Sequence, residues 1–111
     1  MVVDQLSEPE VDRLFHALAD STRRSIVVRV ISEEHSVSAL AASYAMSFAA
    51  VQKHVAVLEQ ASLVTKEKRG REQMVRANRE TVRKARQLLD EFELIWRQRV
   101  DRITEILAED E

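Results

Sequence analysis

Apolar residues recur at helical spacing over five stretches of the chain and lose that spacing over one, and this alternation lays out the elements. Val11, Leu14, Phe15 and Leu18 stand at i, i+3, i+4 and i+7, one stripe of a short helix. Ser7 and Glu10 before it have capping-box spacing, with Pro9 tolerated in the first turn. A second helix follows, capped by Asp20 or Ser21, with Ile26, Val27, Val30 and Ile31 as its inward row. Two helical patterns then come in tandem. Ser38 is placed to cap the first, with Leu40, Ala41 and Tyr44 inward; Ser47 is placed to cap the second, with Val51, Val55 and Leu58 inward. Only Ala45 to Ser47 separate them, so residues 38–61 form a short helix, a tight turn and a longer helix, the helix-turn-helix arrangement.

Residues 63–77 break the period into two short runs around Gly70, a hairpin with a cationic tip. From Glu80 to about Leu107 the helical period returns without interruption, through Val82, Ala85, Leu89, Phe92, Trp96, Val100, Ile103 and Leu107. Such a helix of ~28 residues spans roughly 42 Å, more than the core of so small a chain can cover, so it is expected to meet another chain. Its row, aided by Val11, Leu14, Phe15 and Leu18, is therefore the expected homodimer interface, carried chiefly by Leu89, Phe92, Trp96, Val100 and Ile103. The fold class is mainly α with a small β-hairpin, and residues 1–111 are read as one domain.

Composition narrows the function. The chain has one glycine, one proline and no cysteine, which excludes a disulfide framework, a thiolate metal site, a cysteine nucleophile and a glycine-rich phosphate loop. His16, His35 and His54 fall on different elements, and Asp12 beside His16 reads as an exposed ion pair rather than a ligand set. No catalytic residue, metal or cofactor is expected. Without a long apolar run, and with Asp4, Glu8 and Glu10 where a signal peptide would be basic and then apolar, the expectation is a cytoplasmic protein with no membrane partner.

The net charge of −2 conceals an uneven distribution: −4 over residues 1–20, +1 over 21–46, +4 over 47–79 and −3 over 80–111. A basic middle between acidic ends suits a surface that meets a polyanion. On the second helix of the tandem, the face opposite Val51, Val55 and Leu58 carries Ala49, Gln52 and Lys53, flanked by Phe48 and His54 and opened by Ser47. Such a helix fits the major groove of double-stranded DNA, where Gln pairs with adenine, Lys reaches guanine or phosphate, and Ala or Phe meets a thymine methyl. The plainer alternative is a solvated polar face. Lys66, Lys68, Arg69 and Arg71 around Gly70 can lie along the phosphates or enter the minor groove, or they can serve only to keep an edge strand from aggregating. Phe92 and Trp96 could instead line a pocket for a small-molecule effector, whose existence the sequence leaves open. A protein-interaction module that reads no DNA sequence is the remaining alternative.

Four strings in this order resemble the ArsR/SmtB family of winged helix-turn-helix repressors: Leu18 to Arg24 (LADSTRR), Ser36 to Ala41 (SVSALA), Ser47 to Val64 (SFAAVQKHVAVLEQASLV) and Lys68 to Glu72 (KRGRE). The resemblance spans roughly residues 14–77. It implies a winged helix-turn-helix with a long C-terminal dimerisation helix, a recognition helix starting at Ser47 and a wing tip at Arg69 to Arg71. It also implies a homodimer in which the first and last helices pair; the expected function is that of a repressor occupying a promoter, often that of its own gene, and two recognition helices about 34 Å apart call for an inverted-repeat operator. Arg23 and Arg24 match a recurrent family pair, either structural or directed at phosphate. The departures are specific. The metal-sensing Cys-x-Cys box is absent from the helix matching Ala39 to Tyr44, and no histidine follows His54. Ala49 and Ala50 replace the frequent Ser and Thr, and Ser62 stands where the family often has glycine.

Overall fold

The computed structural model describes residues 6–109. Helix α1 (Glu8–Leu18) starts with the expected capping box, Ser7 Oγ accepting from Glu10 N–H while the Glu10 carboxylate accepts from Ser7 N–H. Helix α2 (Ser21–Ser32) is capped by Asp20, the first of the two alternatives, whose carboxylate accepts from Arg23 N–H at 3.0 Å. Of the inward row expected on α2, Ile26, Val27 and Val30 are buried, whereas Ile31 is 58% exposed. Ile31 lies on the edge of the stripe in the last turn, beyond the helices that cover the other three.

The next boundary differs from the sequence reading. Residues His35–Ser36 form a short strand, β1, that the hydrophobic pattern does not show, and Ser36 rather than Ser38 caps helix α3 (Val37–Ala42), its Oγ accepting from Ala39 N–H at 3.0 Å. The reason is tertiary: β1 pairs with residues 74 and 75, so the chain leaves the sheet at Ser36 and turns straight into the helix. Ser38 lies in the first turn, exposed.

Helix α4 (Phe48–Gln60) starts at Ser47 as expected, with Ser47 Oγ accepting from Ala50 N–H at 3.1 Å. It ends in a Schellman motif in which Leu63 N–H donates to Leu58 C=O at 3.0 Å and Ser62 N–H donates to Glu59 C=O at 2.9 Å. Ser62 itself takes φ 59°, so a residue with a Cβ occupies the left-handed position that glycine would fill without strain.

Strands β2 (Val64–Arg69) and β3 (Glu72–Ala77) form the hairpin, in register from Val64 opposite Ala77 to Arg69 opposite Glu72. Its two-residue loop has Gly70 at φ +60° followed by Arg71 without positive φ, the pattern of a type II′ turn. The sheet order is β1-β3-β2, so β1 covers the free edge of β3. Helix α5 (Arg79–Glu109) completes the chain.

The core is a continuous set of apolar side chains from α1 to α4 and from β2 and β3, with Leu14, Ile26, Leu40, Val51, Val55, Leu58, Leu63, Val64 and Val75 almost wholly removed from water. Leu14 therefore belongs to the interior of its own chain, not to the outward stripe expected on α1. Val11 and Leu18 are half-buried and Phe15 is exposed. Helix α5 contributes little to this core: only Thr81 is buried on it, and its length of roughly 46 Å accounts for much of the 70 Å long axis of the molecule.

Candidate nucleic-acid interface

The helix expected to meet DNA has a dry back and a bare front. Val51, Val55 and Leu58 have no exposure and fix its rotation against α2, α3 and β2. That rotation turns Ser47, Phe48, Ala49, Gln52 and Lys53 outward, all of them exposed. Among the described residues neither Gln52 nor Lys53 has a side-chain partner, so amide and ammonium are free to bond elsewhere. His54 is placed differently. It is half-buried, and its Nδ1 lies 3.2 Å from Arg23 Nη1. A guanidinium has no acceptor, so Nδ1 is the acceptor in this contact. His54 thus ties α4 to the body of the domain.

Arg23 is the centre of that tie. Its Nε donates to Ala17 C=O at 2.7 Å and its Nη2 to His16 C=O at 3.0 Å, while Arg24 Nη1 donates to Leu18 C=O at 2.7 Å. The Ala17 and Leu18 carbonyls at the end of α1 thereby gain partners, and the His16 carbonyl, which also accepts from Ala19 N–H at 3.2 Å, gains a second. These bonds give both arginines a structural role. The sequence carried a signal for it, since both residues lie within seven positions of the carbonyls they cap. The contact with His54, thirty-one residues away, carried none.

On the wing the four expected bases divide into two pairs. Lys66 is half-buried with Nζ 3.5 Å from the Glu59 carboxylate on α4. Arg69 is gripped by both oxygens of Glu34, from the loop between α2 and β1, and lies 3.1 Å from Glu67. Hydrogen bonding to these two carboxylates holds the guanidinium far above its usual pKa, and Arg69 lowers that of Glu34 in turn. Glu34 also meets Arg76 Nε at 3.7 Å. These pairs spend the charge of Lys66 and Arg69 on fastening the wing to the body. Lys68 and Arg71, on either side of the exposed Gly70, have no ion pair among the described residues. The outward cations are therefore Lys53 on α4 and Lys68 and Arg71 on the wing.

Among the described residues, α5 presents an exposed apolar row. Phe92 is 56% exposed and Trp96 64%, and Leu89, Val100, Ile103 and Leu107 are comparably bare. Among the described residues no helix is long and apolar enough to cross a membrane, and no three histidine or carboxylate side chains gather as a metal site would require.

No family model matches the sequence, and no curated protein matches it either. Solved structures do. An ArsR-like transcriptional regulator from Rhodococcus sp. RHA1 is 32% identical over 93% of this chain and 94% of its own, with a TM-score of 0.83. A structure described as a possible transcriptional regulator for arsenical resistance is 37% identical over 73% of this chain and 83% of its own, with a TM-score of 0.66. At 22% identity, covering 83% of this chain and 82% of its own, a homodimeric winged helix-turn-helix DNA-binding domain from Mycobacterium bovis shares the fold, with a TM-score of 0.63. Sequence identity and overall superposition agree: the chain belongs to the ArsR family of transcriptional regulators and has its winged helix-turn-helix fold.

Proposed function

We propose that this chain is a homodimeric, sequence-specific DNA-binding repressor that occupies an inverted-repeat operator through α4 and the wing. The observation that carries the reading is the outward face of α4, where Ala49, Gln52 and Lys53 project unpartnered from a helix whose back is wholly buried. Gln52 and Lys53 read base edges in the major groove, with Ala49 and Phe48 available to thymine methyls, and Ser47 and the first N–H groups of α4 near a phosphate. Lys68 and Arg71 supply the sequence-independent grip on the backbone. Arg69 and Lys66 hold the wing in position for them.

The second copy is argued from α5. Its row from Leu89 to Leu107 is too long and too apolar to face water, and a second copy of the same row covers it with Phe15 and Val11 of α1 at the margin. A two-fold dimer sets two recognition helices about 34 Å apart, one turn of the duplex, and so demands an inverted repeat. The −3 segment lies in the dimer layer, away from the DNA, and the +4 segment faces it.

Selection of bound duplexes from a random pool, followed by footprinting on the promoter of the protein's own gene, tests the proposal. Enrichment of one inverted repeat with two protected major-groove segments is the expected outcome. Uniform retention of all sequences, or none, would refute it and leave a protein-interaction module as the reading.

A further inference from the structure

A cavity of about 510 Å³ lies between the last turn of α2, the end of β3 and the first turn of α5, beside the Glu34 clamp on the wing. That volume falls in the range of small-molecule sites. Its apolar wall is Ile31, Ala77 and Val82, of which Ile31 and Val82 are left bare at 58% and 38% exposure. Its charged wall is Glu34, Arg76 and Arg79. The charges in it are unequally committed. Both oxygens of Glu34 are bonded to Arg69 on the wing, which leaves Arg76 with a single loose contact at 3.7 Å. Arg79 has no ion pair among the described residues. Glu33, at the rim, turns a side chain that is 79% exposed towards solvent and His35. The cavity thus combines exposed aliphatic surface with two under-committed guanidinium groups, whose planar forks match a carboxylate.

We propose that this cavity is an effector site for an amphipathic monocarboxylate, its head on Arg76 and Arg79 and its apolar body on Ile31, Ala77 and Val82. The ligand competes with Glu34 for Arg76. Because Glu34 is also the clamp on Arg69, occupancy is transmitted to the wing through one side chain, and a negative charge is added on the side of the molecule that carries the wing. Ligand therefore weakens DNA binding, and by linkage DNA weakens ligand binding by the same factor. As regulation this rests on the function proposed above. The site itself does not, and it is tested without DNA.

Isothermal titration calorimetry of the full chain with octanoate and with octan-1-ol, both below their aggregation limits, separates head from body. Octanoate is expected to bind at least about fivefold more tightly than the alcohol, as a charge-assisted bidentate contact requires. Arg79→Gln should abolish that preference, Ile31→Glu should abolish octanoate binding, and Glu34→Gln should strengthen it severalfold by removing a competing carboxylate. All three substitutions are at surface-accessible side chains, and circular dichroism checks that each variant folds as the parent does. Equal binding of acid and alcohol would overturn the proposal. So would octanoate binding that survives Ile31→Glu, which would place the chain elsewhere, as on the Trp96 face, and so would a Glu34→Gln variant without the gain. With an operator duplex present, octanoate should lower DNA affinity of the parent; if the protein binds no duplex at all, the repressor reading fails while the calorimetry still decides the site.

Discussion

Helices α4 and α5 carry the same kind of apolar row and put it to opposite uses. On α4 the row of Val51, Val55 and Leu58 meets α2, α3 and β2 and is closed to water. On α5 the row of Leu89, Phe92, Trp96, Val100 and Ile103 is left exposed among the described residues, Phe92 and Trp96 by more than half. An apolar stripe thus marks a face that must be covered, but not which molecule covers it. The consequence for function is a division of labour: α4 is packed by its own chain and can offer a fixed polar face, whereas α5 leaves an apolar face open, the one that the proposed second copy would complete.

The hardest blow to this contrast is aimed at α5. Phe92→Glu combined with Trp96→Glu puts four unpaired charges into a two-fold interface, an expected loss of about 3–5 kcal/mol or more in dimer stability. Sedimentation velocity at micromolar concentration should show monomers, and a folded dimer surviving both charges would place the interface elsewhere. In that monomeric background, Leu58→Ala should lower the urea-unfolding free energy by about 2–5 kcal/mol, while Leu107→Ala should change it by less than about 0.5 kcal/mol. Equal costs at the two leucines would erase the distinction between a row finished by its own chain and one left open.

The front of α4 gives a smaller and more selective effect. Gln52→Ala should cost about 1–3 kcal/mol on the preferred duplex and relax preference at one or two base pairs, with nonspecific affinity nearly unchanged. Arg71→Ala should weaken all duplexes alike and lower the salt slope by about one for each phosphate left without its cation. Arg69→Ala should lower that slope less, because its charge is already committed to Glu34 and Glu67; binding assays across a salt series check all three. Smaller again is the cap of α4. Ser62→Gly should raise stability by about 0.5–1 kcal/mol, since relief of left-handed strain outweighs the added freedom of the unfolded chain.

The mildest prediction concerns acid. Hydrogen bonds from Ser7 hold the Glu10 carboxyl below its ordinary pKa, the Arg23 N–H does the same for Asp20, and the Arg69 guanidinium for Glu34. A depressed folded pKa means stability that is complete above the unfolded value, roughly 4, and lost as pH falls through the folded one. Unfolding midpoints should therefore be flat above about pH 5 and decline below it, and Asp20→Asn should flatten part of that decline.

Much of the architecture was legible along the chain because its causes are local. Ser7 and Glu10 sit three residues apart, Ser47 begins the helix it caps, Gly70 supplies the one cheap positive φ in the hairpin, and α4 declares its buried face by spacing. The rotation of α4, and with it the outward face of Gln52 and Lys53, followed from that spacing alone. The local reading failed where tertiary pairing moved a boundary, as at α3, whose cap was expected at Ser38 and is Ser36. There the short strand β1 decided, and a two-residue strand has too little pattern of its own to be read before its partner β3 is in place.

What the sequence by itself determined is the set of elements, their inward faces and the position of the cationic hairpin, since periodicity, caps and turn chemistry act within a few residues. Tertiary structure alone decided which charges are free. Arg69 and Glu34 are thirty-five residues apart and Arg23 and His54 thirty-one, and no local rule pairs them. It also decided that Leu14 turns into its own core while Ile31 stays at the surface. A side chain's type fixes what it can bond to, but the partner depends on which segments the packed core brings alongside it.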